Sequence, residues 1–474
     1  MSVSEQEIQN IVRNVLQNMG KAQQPSMHTV TAQPKKLMGI FENIEDAIAA
    51  AKAAQKEIQP MPLEFREKII ANIRKKTLEN AKLLAELGVE ETGMGNVGHK
   101  ILKHQLVAEK TPGTEDLTTL AWSGDRGLTL IEQGPFGVIG AVCPSTNPTE
   151  TVICNSIGML AAGNSVVFAP HPSAKHVSNI AIDMINKASV EVGGPENLVV
   201  AVENPTMEVS KIIFAHKDIA LLVATGGPGV VKTVLSSGKR AMGAGAGNPP
   251  ALVDETANIA KAAEDIVNGC TFDNNLPCIA EKEVVAVKSI ADELMYYMEQ
   301  SGCYRASEEE VAKLVKTVFI EKNGNRTLNR ECVGRSAKVI LSKIGVTVGD
   351  EVRCVIFKGD KTHPMIAEEL MMPILGIVEV EDVDEGIEVS IELEQGNRHS
   401  AHMHSTNINN LTKFGKAIDT AIFVKNGPSY AALGFGGEGY ATFTISSRTG
   451  EGLTSAKNFT KSRRCVMCDA LCIR

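Results

Sequence analysis

The chain has 474 residues, 43% of them hydrophobic and 22% charged, with a formal net charge of −8. That length exceeds one small core and predicts two or three domains. The acidic balance, with no basic stripe, argues against a nucleic-acid partner.

In chain order, Ile8, Ile11, Val12, Val15, Leu16 and Met19 recur at helical spacing and predict a short amphipathic helix. Ser4 and Glu7 match a capping box, and Gly20 stands where the helix would stop. Glu5 and Glu7 interrupt any apolar core, so residues 1–20 predict no secretory signal. A polar linker, 21–36, follows. A tethered helix of this kind has two readings: it docks on its own body, or it is an address that docks on another protein.

Helices are predicted over Ile44 to Gln55 and Leu63 to Leu87, then two strands, Gly127 to Glu132 and Gly137 to Cys143, around Gly134-Pro135. A βα alternation begins there. Its strands are Val138–Cys143, Ser165–Phe168, Leu198–Val202, Ile219–Ala224 and Ala251–Val253. Helices are predicted between them at Thr149–Leu160, His176–Val192, Met207–Phe214 and Gly229–Ser236. The uncharged run Thr151 to Ala174 is broken by Asn155, Ser156, Asn164, Ser165 and Pro170, which fits a buried α/β core and no membrane span. A second alternation has strands at Glu283–Val287, Cys354–Phe357, Ile377–Val380, Ala401–Met403 and Ala421–Val424, and Tyr440–Ile445 reads as strand again. Short apolar strands separated by helices predict parallel sheets covered on both faces. The expected fold is α/β: two Rossmann-type parallel domains and a small β element.

Thr271-Phe272-Asp273-Asn274-Asn275-Leu276-Pro277-Cys278 sets one of ten cysteines after a polar turn and just ahead of a strand. A thiol on such a junction is a candidate nucleophile; its alternative is a small buried hydrophobe. The ten cysteines show no disulfide framework, which predicts reduced thiols in a cytosolic setting. Asn147, in Pro144-Ser145-Thr146-Asn147-Pro148, either donates to a developing oxyanion or caps the helix that follows. Thr225-Gly226-Gly227-Pro228-Gly229 is either a tight βα turn or a cofactor contact at a helix start. Neither it nor Gly243-Ala244-Gly245-Ala246-Gly247-Asn248 matches the dinucleotide fingerprint. Cys465-Val466-Met467-Cys468 with Cys472, and His399, His402 and His404, look metal-like, but neither group completes a ligand set, so no metal is predicted.

With these motifs the chain resembles the aldehyde dehydrogenase superfamily, and within it the CoA-acylating branch packaged in bacterial microcompartments. The resemblance spans essentially the whole chain. Besides the segments above it rests on Glu91-Thr92-Gly93-Met94-Gly95, Phe168-Ala169-Pro170-His171-Pro172, Glu369-Leu370-Met371-Met372-Pro373, Phe423 to Pro428 and Thr449-Gly450-Glu451-Gly452. It implies Cys278 as the nucleophile and Asn147 as an oxyanion donor. It implies Thr146, Pro170, Thr225, Gly226 and Gly227 as cofactor-lining positions, Glu369 as the nicotinamide-ribose contact and His399 as a neighbour of the site. Hydrolytic members carry a glutamate base where this chain has Ala244. The implied product is therefore acyl-CoA, from a short aldehyde (propionaldehyde over acetaldehyde), with NAD and coenzyme A.

The competing readings are a hydrolytic dehydrogenase and a silent cargo protein. The resemblance also implies an oligomer, dimer or tetramer, and docking of residues 1–20 on a microcompartment shell protein. The implied divisions are an NAD-binding domain (37–122 and 137–252), a catalytic domain (253–430) and an oligomerisation arm (123–136 and 431–474).

Overall fold

The computed structural model describes residues 36–322 and 324–473. The helix expected at residues 1–20, and nearly all of the linker, lie outside them.

Local chemistry sets the early helices. Asn43 accepts from the Glu45 amide at 2.8 Å and opens the Ala-rich helix Ile44–Ile58. Leu63–Thr92 runs beyond the expected Leu87 because its first stop is Gly93, which takes the left-handed conformation at φ 66°. Asn96 then caps Val97–Lys110.

The first sheet is parallel and six-stranded. From edge to edge it runs Ile40–Phe41, Val199–Val202, Ser165–Ala169, Val138–Val142, Ile219–Thr225 and Ala241–Ala244. Alternate residues feed opposite faces. Ile139, Ala141, Val166, Phe168, Leu221 and Val223 pack under one layer of helices, and Val138, Val167, Val200, Leu222 and Ala224 under the other. The second sheet is parallel and seven-stranded, in the order Cys303–Arg305, Cys354–Lys358, Ile374–Val380, Glu283–Val287, Pro250–Val253, Ser400–His404 and Ile422–Lys425. It has its own core. A third, antiparallel sheet joins Leu120–Gly124, Gly127–Pro135 and Thr460–Cys468.

Several expectations need correction. Gly127–Pro135 and Val138–Val142 do not pair with each other: the first belongs to the antiparallel sheet, the second to the middle of the six-stranded sheet. The antiparallel sheet starts at Leu120 and not at 123, and from 431–474 it takes only Thr460–Cys468. Most of Tyr440–Ile445 is not strand. Its β-forming residues bury against the helix Pro148–Ala161, where Thr444 Oγ1 donates to Asn155 Oδ1 and the Phe443 amide to Cys154 Sγ. Among the described residues no helix is long and apolar enough to cross a membrane.

Candidate active site

Two strand edges meet the chemistry. In the first sheet, Val138–Val142 and Ile219–Thr225 are neighbours, and the strand order reverses between them. Thr146 and Asn147 follow the first, and Gly226 and Gly227 follow the second. Pro170 follows Ser165–Ala169. Ligands of open parallel sheets bind beyond the carboxyl ends of strands at such a reversal. In the second sheet the expected residues stand at the opposite ends of the strands. Cys278, Glu369 and His399 come just ahead of Glu283–Val287, Ile374–Val380 and Ser400–His404, and Gly247, not expected from sequence, comes ahead of Pro250–Val253; the four strands are adjacent.

The turn before Cys278 is held in an uncommon shape. Asp273, Asn274 and Asn275 all have positive φ, at 51°, 54° and 66°. Asp and Asn tolerate this region better than other non-glycine residues, and hydrogen bonds fix it here. The Asp273 amide donates to His99 Nδ1, and Asn274 Nδ2 donates to the Gly334 carbonyl. Asn275 Nδ2 donates to the carbonyls of Cys270 and Glu281, and Lys282 Nζ donates to Asn275 Oδ1 at 2.7 Å. Cys278 is presented half-buried at the end of this turn.

The segments of Gly247, Cys278 and His399 pack closely. A Cβ at Gly247 would stand 2.8 Å from His399 Cγ and 3.1 Å from the Cys278 carbonyl oxygen, so only glycine lets these segments converge. Burial pushes the Cys278 thiol up to about 12, and the Glu369 carboxylate adds to this. Lys282, the residue's own amide and Lys103 pull the other way. Glu369 is raised by burial against the pull of Lys282, whose Nζ is 3.9 Å away, and of the Gly247 amide. His399 is lowered to about 4, chiefly by burial, so its ring is neutral at pH 7. Its Nδ1 faces Ser400 Oγ at 3.0 Å, while Nε2 has no protein partner. His402 Nε2 lies 2.9 Å from the Ile279 carbonyl, beside the thiol's own segment.

Asn147 occupies the N-cap position of Pro148–Ala161, yet its side chain makes no capping bond. Instead its Oδ1 accepts from Lys103 Nζ at 2.5 Å, and its Nδ2 donates to Thr146 Oγ1 at 3.2 Å. Ala244 ends the strand Ala241–Ala244, buried, with only a methyl group to offer.

The residues around Gly227 fit a dinucleotide. Gly227 begins the helix Pro228–Leu235 with no side-chain cap, and space is open where side chains at Gly227 and Gly229 would stand. Uncapped amides at a helix start suit a phosphate. Thr225 is buried, with Oγ1 2.8 Å from Thr444 Oγ1. Among the described residues no group of three or more His, Cys, Asp or Glu side chains is placed to hold a metal.

A profile of the aldehyde dehydrogenase family matches residues 21–462. The chain belongs to the aldehyde dehydrogenase family. An acetaldehyde dehydrogenase (acetylating) of Bilophila wadsworthia is 48% identical over 481 residues, covering 99% of each chain. A propionaldehyde dehydrogenase from the Clostridium phytofermentans fucose utilisation bacterial microcompartment has a solved structure, 64% identical. The match covers 92% of this chain and 100% of that one, with a TM-score of 0.91. A Rhodopseudomonas palustris propionaldehyde dehydrogenase, solved with bound CoA and an acylated cysteine, is 54% identical. There the match covers 92% of this chain and 99% of that one, with a TM-score of 0.90.

Sequence reasoning missed the charges that frame this aldehyde dehydrogenase site. Lys100, Lys103, Glu150 and Asp273 are buried together, and Lys282 is buried beside Glu369. One signal was available. Lys100, Lys103, His104 and Val107 share one helical face, so two lysines stand on the stripe that points inward.

Proposed function

We propose that this chain is a CoA-acylating aldehyde dehydrogenase. It oxidises a short aliphatic aldehyde, propionaldehyde favoured, with NAD+ and CoA to acyl-CoA and NADH through a thioester on Cys278. The observation that carries this reading is a carboxamide, Asn147, oriented by Lys103, which also holds Asp273 on the turn that leads to Cys278.

The Cys278 thiol loses its proton to solvent, and the thiolate sulfur attacks the aldehyde carbonyl carbon. The carbonyl oxygen becomes an oxyanion, which the Asn147 Nδ2–H and the Cys278 amide receive. Thr225, Gly226 and Gly227 would hold the dinucleotide's phosphate side, with Thr146 and Pro170 along the same strand edge and Glu369 at the ribose. When bound, NAD+ supplies a two-electron acceptor. Loss of two electrons and a proton from the reacting carbon leaves the acyl group on Cys278. With no carboxylate on Ala244 to activate water, the thioester persists until the CoA thiolate attacks it and the Cys278 thiolate leaves. His399, neutral and with Nε2 unpartnered, stands beside this segment.

The name of the Bilophila relative and the CoA and acylated cysteine of the Rhodopseudomonas structure support the acylating reaction; the Clostridium name supports propionaldehyde, and the Bilophila name leaves acetaldehyde as the second substrate reading. Purified protein with propanal and NAD+ is expected to form NADH in proportion to added CoA, with propionyl-CoA as product. Multiple turnovers without CoA, yielding free acid, would overturn the reading. Rates across acetaldehyde, propanal and butanal decide between the two substrates.

The microcompartment origin of the Clostridium relative supports a second proposal: residues 1–20 direct this enzyme to a shell protein. A fluorescent reporter fused to residues 1–20 is expected to form foci in cells that assemble the matching shell. Diffuse fluorescence there would refute it.

A further inference from the structure

The helix Val97–Lys110 sends a fully buried ammonium into the site. Lys103 has no exposed surface, and its Nζ lies 2.5 Å from Asn147 Oδ1, 2.6 Å from Asp273 Oδ2 and 2.9 Å from Glu150 Oε1. An ammonium has three donors and no acceptor, and here three oxygens surround it. Burial works against its charge, but Asp273 and Glu150 raise it overall, so it stays protonated.

This arrangement decides which way the Asn147 carboxamide points. An amide flipped end for end would press its NH2 group against the ammonium, donor against donor. With Oδ1 on Lys103, Nδ2 must face away. One of its hydrogens goes to Thr146 Oγ1, and the other is left for a ligand oxygen. The neighbouring Lys100 does not do this work. Its Nζ binds Asp273 Oδ2 at 3.0 Å and the Thr146 carbonyl at 3.1 Å. Asp273 in turn opens the left-handed turn that leads to Cys278.

We propose that Lys103 is a positioning residue for the aldehyde reaction: its ammonium fixes the Asn147 carboxamide with Nδ2 toward the reacting oxygen and ties it, through Asp273, to the turn that carries Cys278. The inference rests on the proposed role of Asn147 as oxyanion donor. A cluster that merely staples the helix to the core would stabilise the fold equally well. The two roles differ in whether the effect of Lys103 passes through Asn147.

A double-mutant cycle on the full chain separates them, with NADH formation from propanal, NAD+ and CoA as the readout. Asn147→Ala is expected to lower kcat by about 10²–10³. Lys103→Met leaves two buried carboxylates to Lys100 alone, so Lys103→Met/Glu150→Gln is made beside it; that variant keeps the Lys100–Asp273 pair and the charge balance. Either variant is expected to lower kcat by at least about tenfold with the KM for NAD+ unchanged. Added to Asn147→Ala, it should cost less than about threefold more, because residues acting as a unit are not additive. Native kcat in the charge-balanced variant, or losses that multiply with that of Asn147→Ala, would overturn the inference. Full activity in Asn147→Ala alone would instead overturn the oxyanion assignment on which it rests.

Discussion

Cys278 receives opposing charges, and their balance sets how much of it is thiolate. Burial raises it most and Glu369 next, while Lys282, the residue's own amide and Lys103 lower it. Only the thiolate attacks a carbonyl or an alkylating agent. With the thiol pushed up to about 12, the thiolate fraction at neutral pH is small and grows about tenfold per pH unit. Alkylation of Cys278 by iodoacetamide, followed on its own peptide by mass spectrometry, should therefore climb from pH 7 to 10 without a plateau. Glu369→Gln removes the negative charge that opposes the thiolate, so alkylation at fixed pH should quicken. Lys282→Met removes a positive charge that favours it, so alkylation should slow. A plateau near neutral pH, or equal rates in both variants, would show that these charges do not govern the thiol.

At the scale of elements, legibility follows burial. Strands inside the parallel sheets are short apolar runs, and Val138–Val142, Ile219–Thr225 and Glu283–Val287 match their sequence-predicted bounds closely. Two edge strands were harder to read, although the edge Ile422–Lys425 was expected at Ala421–Val424. Ala241–Ala244 is hidden among glycines and alanines, and Cys303–Arg305 is a three-residue edge strand. Tyr440–Ile445 has strand-forming residues, but their hydroxyls and amides bond to the helix Pro148–Ala161 and to Thr454. The candidate site shows the same division. Cys278 stood out because Asp, Asn and Pro mark a turn locally. Lys103 did not, because its partners Asn147, Glu150 and Asp273 are distant in sequence, and its place on the inward stripe of its helix does not say what it meets there. Where the helix Val97–Lys110 breaks the rule that lysines face water, it does so beside the reacting group.

At the scale of the molecule, the antiparallel sheet leaves an apolar face uncovered among the described residues. Register puts Ile131 between Leu120 and Arg464, and Thr129 between Trp122 and Val466, so these side chains share one face. On that face Trp122 is 55% exposed, Val466 57% and Leu120 51%. The sheet has three strands, and Leu120–Gly124 and Thr460–Cys468 are its edges. Edges and apolar faces of this kind invite a further chain. We propose a second copy of this chain, in a dimer or tetramer, as that further chain. Trp122→Asp/Val466→Asp sets two carboxylates in the row around Thr129, where a partner would have to desolvate them. Size-exclusion chromatography with light scattering should show a smaller species than the parent chain at equal concentration. The far-ultraviolet circular dichroism of both large sheets and their helices should be unchanged, since neither residue packs into their cores. An unchanged mass would mean that this face is not where copies meet.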